Sequence, residues 1–329
     1  MEKGRLDVSN SNNISDIAAL EIKNLKLKYR DKKKDFFYAL NDVSFSIKDK
    51  EIFGLVGESG CGKTSVSRVI MGLENDYDGK IIVFAKESGS QSDDLLSRRK
   101  QIQMVFQDPY TSLDPSMNIK EIIEEPMKYL MKTMSKRERE NRAKELLSWI
   151  GLDSSYLCKM TEELSGGQRQ RVCIARAISC YPKILICDEA VSALDVSVQS
   201  QILNLLKRLN RESGLTIMFI SHDLGVIRHL VDRVCVMLKG RVCEIGNTDD
   251  IFSNPLHPYT KSLIDAIPKI RKDSLRYFDD SQEINFEYAE SGCPFFERCV
   301  LKTDICMKEY PDMKIFSGRV VYCHNVLRY

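Results

Sequence analysis

No run of apolar residues in this 329-residue chain approaches the ~18 needed to span a bilayer. Any membrane role must therefore come through a partner. The opening stretch, MEKGRLDVSNSNN, has no hydrophobic h-region and does not read as a secretory signal, so a cytoplasmic protein is expected. Charge of one sign is also scarce. The formal net charge is +2, and bulk charge gives no reason to expect a nucleic-acid binder. The basic run DKKKD at 31–35 reads as a solvated loop. Close cysteine pairs are missing too. None of the 11 cysteines forms the C-x2–4-C pair on which structural zinc sites usually rest.

What the chain does have is apolar material for a core, 43% of residues, and a length that suits one large domain or two ordinary ones. ALEIKNLKLKY and ALNDVSFSI alternate apolar and polar residues and predict strands. EIFGLV at 51–56 is a short apolar strand running into GESGCGKT and then the helical SVSRVIMGL. YPKILICDEA, GLTIMFISHD and RVCVMLKGRVCEIG predict further strands. KRERENRAKELLSWIGL, SVQSQILNLLKRLNRES and LGVIRHLVDR predict helices. Strands alternating with helices imply an α/β fold with a mostly parallel sheet. A helix-rich stretch at about 108–180 interrupts the strands and reads as a helical subdomain. The prolines of FSNPLHPYTKSL place the end of the main domain near 255.

Gly57-Glu58-Ser59-Gly60-Cys61-Gly62-Lys63-Thr64 fits G-x-x-x-x-G-K-[ST], here between a strand and a helix. Its glycines let backbone N–H groups close on phosphate oxygens. Lys63 would reach the β- and γ-phosphates, and Thr64 would offer its hydroxyl to Mg2+, with Ser65 following at the helix start. ILICDE ends a strand in two acids. Asp188 would hold Mg2+, and Glu189 would accept a proton from an attacking water. Two surface carboxylates at a strand end are the bland alternative. His222, at the end of FISHD, falls on the sheet edge where α/β folds bind ligands and is read as a γ-phosphate contact. Gln107 follows a strand and precedes a proline turn, and Tyr29 offers a ring for adenine to stack on or serves as a plain edge aromatic. LSGGQ forms a second anion site: Ser165 adds a hydroxyl, and Gly166 and Gly167 leave N–H groups uncovered at a helix start. One small chain thus carries two phosphate sites about a hundred residues apart.

GESGCGKT, Gln107, LSGGQ, ILICDE, SALD at 192–195 and His222 occur in the order found in the nucleotide-binding subunits of ABC transporters, which the chain resembles over about 20–250. The resemblance implies a P-loop RecA-like core with an antiparallel β subdomain and a helical subdomain. It implies that Lys63, Thr64, Gln107, Asp188, Glu189 and His222 handle one ATP, with Gln107 also reaching Mg2+. Ser165, Gly167 and Gln168 would serve a second ATP held by a partner subunit, and Asp195 would couple the two sites. FQDPYTSLDP, ALDVSVQSQILNLL and NPLHPYTKSLIDAIP further resemble the ATPases of oligopeptide and dipeptide importers, in particular the second of their two unequal subunits. That implies a sister ATPase, two permease subunits, an extracytoplasmic binding protein and residence on the cytoplasmic face of the membrane. Ala190 replaces the proline common after the acid pair, and RYFDDSQEINFEYAE replaces a proline-rich stretch. Nickel importers are the alternative within importers. Soluble DNA-repair ATPases are the alternative outside them.

Seven cysteines (61, 158, 173, 180, 187, 235 and 243) sit among apolar neighbours and read as small core residues. Cys293, Cys299, Cys306 and Cys323 stand apart, with five, six and sixteen residues between successive thiols. A reducing compartment disfavours disulfides. Zinc, a [4Fe–4S] cluster with wider ligand loops, and unligated thiols remain open. The tail of peptide-importer ATPases resembles this pattern, and the resemblance implies the cluster. His324 adjoins the last thiol. The expected domains are an extension at 1–19, the nucleotide-binding domain at 20–255 and a small cysteine-rich terminal domain at 256–329.

Overall fold

The structure, a computed structural model, describes residues 18–30, 36–87, 92–192, 194–267 and 292–327. The basic run at 31–35, most of the N-terminal extension and the stretch 276–290 lie outside the described residues.

Two long strands, β1 (Ala18–Arg30) and β2 (Phe36–Lys48), pair antiparallel. The apolar strand β3 (Ile52–Val56) then enters the glycine loop and α1 (Lys63–Ile70). Next come β4 (Tyr77–Val83) and the short β5 (Lys86–Glu87), which join the first pair in a four-stranded sheet ordered β2-β1-β4-β5. Helix α2 (Ser92–Gln101) leads to β6 (Ile102–Val105). The expected helical stretch follows: α3 (Pro109–Ser112), α4 (Ile119–Leu130), α5 (Lys136–Trp149) and α6 (Gly166–Ile178). Asn118 and Ser135 start α4 and α5 as capping boxes, each reciprocated by a glutamate three residues on. These caps explain where the helices begin better than their apolar spacing does.

Strand β7 (Ile184–Asp188), helix α7 (Val196–Ser213), strand β8 (Thr216–Ser221), helix α8 (Leu224–Leu230) and strand β9 (Arg233–Leu238) complete the alternation. β9, β3, β8, β7 and β6 lie side by side and parallel. Both faces of this sheet are buried. Phe53, Leu55, Ile184 and Ile186 face the four-stranded sheet and α1, while Ile52, Val56, Leu185 and Cys187 face the helical layer. The near-continuous apolar runs of these strands follow from that double burial.

RVCVMLKGRVCEIG is two strands, not one. The chain turns at Lys239-Gly240, both at positive φ, and returns as β10 (Arg241–Asn247). Helices α9 (Thr248–Ser253) and α10 (Pro258–Asp265) follow, and beyond 291 come α11 (Asp304–Lys308), β11 (Met313–Phe316) and β12 (Arg319–Tyr322). The expected small cysteine-rich terminal domain is not formed as a separate unit. β12 pairs with β10, so the terminal hairpin extends the large sheet to the order β11-β12-β10-β9-β3-β8-β7-β6. The segment has only a small cluster of its own, Leu256, Val321 and Cys323 with Val326 against them. Tyr259 and Phe295 bury themselves in the main core instead. Among the described residues no helix is long and apolar enough to cross a membrane.

Candidate functional site

Parallel strands β3, β8, β7 and β6 are neighbours, so their carboxyl ends share one edge. The glycine loop leaves β3, His222 follows β8, Asp188 ends β7 with Glu189 next, and Gln107 lies two residues past β6. Four stretches distant in sequence thus meet at one place.

The loop's geometry explains its glycines. At Gly57 a Cβ would stand 2.1 Å from the carbonyl oxygen of Met237, and at Gly62 it would stand 2.6 Å from that of Ala39. Gly60 adopts φ +75° and faces open space. Gly62 caps α1 without a side-chain bond, so the first N–H groups of that helix are free for an anion. Lys63 is buried and folds back, its Nζ donating to the carbonyl oxygens of Gly57 at 2.8 Å and Glu58 at 2.9 Å.

Asp188 is also buried. Its carboxylate accepts from the hydroxyls of Thr64 at 3.5 Å and Ser67 at 3.2 Å. Burial raises its pKa, with the two hydroxyls opposing, and Lys63 is the weakest of the influences on it. A buried carboxylate with hydroxyl partners and little cationic compensation suits Mg2+. Ser67 is a contact that motif reading missed. Its signal was available, since it lies one helical turn after Thr64.

Glu189 is the centre of the site. Its two carboxylate oxygens are taken separately: Gln107 Nε2 donates to Oε2 at 2.8 Å, and His222 Nδ1 lies 3.2 Å from Oε1. Its backbone sits at φ +47°, a strained conformation for a residue with a side chain. Its N–H donates to Ile220 at 3.0 Å and holds that conformation against β8. Tyr29 is half-buried on β1, and burial followed by the nearby Glu74 raises its pKa, with Arg68 and Ser65 opposing. It therefore stands beside the first turn of α1.

The LSGGQ site is built differently. Ser165 caps α6, and its hydroxyl and Gln168 are used in a reciprocal capping box. Gln168 also donates to Tyr156 at 3.2 Å. Gly166 has room around it, but at Gly167 a Cβ would lie 2.3 Å from Cγ1 of Val198 on α7. The second glycine therefore serves close packing of two helices as well as an open N-terminus. Asp195 caps α7, accepting from Ser197 at 2.7 Å and Val198 N at 2.9 Å, and the Ser197 bond lowers its pKa.

Of the seven cysteines read as core, six are buried and Cys158 is exposed, because it closes the exposed turn at Ser154–Cys158. The four tail cysteines line one small pocket together with His257 and His324. Burial raises the pKa of Cys293 and Cys299, and that of Cys323 to about 12, with the neighbouring thiols adding to it. Thr303 Oγ1 lies 3.3 Å from Cys306 Sγ and Asn325 Nδ2 donates to it at 3.8 Å. Among the described residues no three His, Cys, Asp or Glu side chains are grouped tightly enough to hold a single metal ion. His324 instead pairs with the Glu309 carbonyl at 3.1 Å.

A phosphate loop on a parallel sheet, with a buried aspartate and a polarised glutamate on the same edge, defines a P-loop nucleotide hydrolase. Residues 40–192 match the ABC transporter family, and residues 243–306 match the C-terminal region of oligopeptide/dipeptide transporters. The oligopeptide transport ATP-binding protein OppF of Escherichia coli is 42% identical, over 93% of this chain and 96% of that protein. AppF of Bacillus subtilis, an oligopeptide transport ATP-binding protein, is 42% identical over 87% and 89%. The dimeric ATP-binding cassette MJ0796 bound to ADP and Pi superimposes with a TM-score of 0.63 and 32% identity, over 70% of this chain and 98% of that one. The chain belongs to the ABC transporter family, as an ATP-binding subunit that hydrolyses ATP.

Proposed function

We propose that this subunit powers peptide import, hydrolysing ATP in composite sites shared with a sister ATPase. The observation that carries the reading is the meeting of Gln107, Glu189 and His222 beside Asp188 and Lys63. Lys63 exchanges its bonds to the loop carbonyls for the β- and γ-phosphates of the bound nucleotide. Thr64, Asp188 and Gln107 would hold Mg2+, which would neutralise phosphate charge when bound. Glu189 accepts the proton of the attacking water. Gln107 aims the carboxylate through Oε2, and His222 leaves Oε1 to contact the γ-phosphate. Ser165, Gly166, Gly167 and Gln168 present α6 to the nucleotide of the sister subunit, and Asp195 anchors the helix packed beside it. A dimeric cassette among the structural neighbours supports this arrangement.

Two permease subunits and an extracytoplasmic binding protein complete the importer, with this subunit on the cytoplasmic face. A groove of about 260 Å3 supports permease docking. Its walls include Phe106, 44% exposed, and Tyr129, 69% exposed, and it adjoins Gln107. A permease element seated there would touch the residue that positions Glu189. The proposed working division stays near 255, with 20–255 as engine and 256–329 as the peptide-importer segment, although the match to the transporter C-terminal region begins at 243, inside β10.

The tail pocket is proposed to hold a [4Fe–4S] cluster. Four thiols lining one pocket, with a hydroxyl and an amide directed at Cys306, support it. The cluster would staple the terminal segment. Anaerobic purification with iron, sulfide and zinc analysis tests it: about four irons per chain are expected, and one zinc or no metal refutes it.

The engine reading is tested with Glu189→Gln. The amide still accepts from Gln107 but is a poor base. ATP binding should persist while turnover falls about 10²–10⁴-fold. Turnover equal to wild type would sink the assignment.

A further inference from the structure

The phosphate loop is held from outside. Glu58, its second residue, donates its backbone N–H to Tyr259 Oη at 3.1 Å, across 201 positions. Its carboxylate receives both guanidinium N–H groups of Arg298, at 2.7 and 3.0 Å, across 240 positions. Tyr259 is fully buried, 5.4 Å from the ring of Phe295, over which the Arg298 guanidinium also lies at 5.1 Å. Neither contact belongs to the phosphate-binding motif.

We propose that the terminal segment clamps the phosphate loop, with Arg298 as a positioning residue that raises affinity for ATP. The physical case has two parts. Within the loop, Cys61 N–H and Lys63 Nζ hold the Glu58 carbonyl at 3.2 and 2.9 Å, and Lys63 must turn to the phosphates when nucleotide enters, so Tyr259 and Arg298 are the contacts on Glu58 from outside the loop that remain. Glu58 also presents a negative charge where phosphates must enter. Arg298 neutralises that charge with a two-pronged bond, which fixes orientation as well as position. Lys239 is a second cation near Glu58, and its pKa is lowered by burial and then by Arg298. Both clamp residues adjoin the tail pocket: Arg298 precedes Cys299, and Tyr259 follows the pocket residue Pro258. The clamp therefore depends on how the tail is folded.

The proposal rests on the ATP reading of the site, and the test separates the two. The full-length chain is titrated with ATP without Mg2+, so that no hydrolysis occurs. Arg298→Ala should weaken binding roughly two- to fivefold, the span expected of a partly exposed pair with two-pronged geometry. Arg298→Lys should lose less. In a Glu58→Ala background, Arg298→Ala should have no further effect, a dependence that a general loss of structure would not produce. Tyr259→Phe, which keeps the ring, should also weaken binding. In the assembled transporter, KM for ATP should rise while kcat holds. Metal content and melting temperature are measured on each variant. Unchanged affinity in Arg298→Ala overturns the clamp, as does an equal effect in both backgrounds or a loss confined to preparations that have shed metal. Failure of the wild-type chain to bind ATP overturns the reading beneath it.

Discussion

Gly167→Ala should destabilise the protein, and Gly166→Ala should not. The two residues are adjacent in a motif usually discussed for its backbone N–H groups. Their surroundings differ. A Cβ at Gly167 would meet Val198 Cγ1 at 2.3 Å and Cγ2 at 3.4 Å, whereas at Gly166 the nearest atom is the Tyr110 hydroxyl at 3.7 Å. Overpacking of this kind costs about 1–3 kcal/mol. Alanine recovers up to about 1 kcal/mol over glycine in a helix. Because the 2.3 Å approach is to a methyl of β-branched Val198, the upper part of the overpacking range applies, and the net loss at Gly167 is about 1–2 kcal/mol, while Gly166→Ala is neutral or slightly stabilising. In a chain of this size each kcal/mol moves the melting temperature by about 2–4 °C or somewhat less. The assay is thermal or urea unfolding of both variants, with Val198→Ala and the double variant completing a cycle. Val198→Ala removes both clashing methyls, so the double variant should recover most of the Gly167→Ala loss. Equal melting of wild type and Gly167→Ala would refute the reasoning, and so would a double variant showing the plain sum of the two losses.

Ser165→Arg should depress hydrolysis in the assembled transporter and leave ATP binding by the isolated chain nearly intact, as measured by phosphate release and equilibrium titration. Full activity of a dilute monomer would contradict this. Gly57→Ala should abolish nucleotide binding or folding, because its Cβ would meet the Met237 carbonyl oxygen at 2.1 Å; a soluble variant with normal ATP affinity would contradict the loop geometry. Burial lowers the pKa of His257 to about 4. The unfolded chain then binds the extra proton first as pH falls. Stability is complete above about 6.5, the free-histidine value, and declines toward 4, by on the order of 3 kcal/mol at most. His257→Asn keeps an acceptor for the Tyr259 N–H and removes the titration, so unfolding measured across that range should show a shallower acid decline than wild type. An identical decline would assign the effect to other groups.

How much was readable depended on the range of the contacts. The glycine loop, its strand and its helix are consecutive, so local pattern found them. Capping of α4 and α5 was equally local and was present in the sequence as N-x-x-E and S-x-x-E. The Lys239-Gly240 turn interrupts the apolar run with Lys, Gly and Arg, a local break that the reading of one long strand passed over. Cys158 was misread because an apolar neighbourhood in sequence does not guarantee burial in a turn. The terminal hairpin could not be placed, since its pairing with β10 links residues some 75 positions apart.

The order and spacing of the motifs determined the class of chemistry: phosphate loop, Mg2+ carboxylate, general base. Those residue types carry their function in their own functional groups, and a linear string records them. The string did not record that Gln107 and His222, 82 and 33 positions from Glu189, would take one oxygen each of its carboxylate. It did not record that Arg298 would close on Glu58 across 240 positions, or that four tail cysteines would line one pocket against His257. Those meetings exist because parallel strands deliver their carboxyl ends to one edge, and because a segment with only a small cluster of its own lays Tyr259 and Phe295 on the main core. Only the tertiary structure decides which groups then face each other.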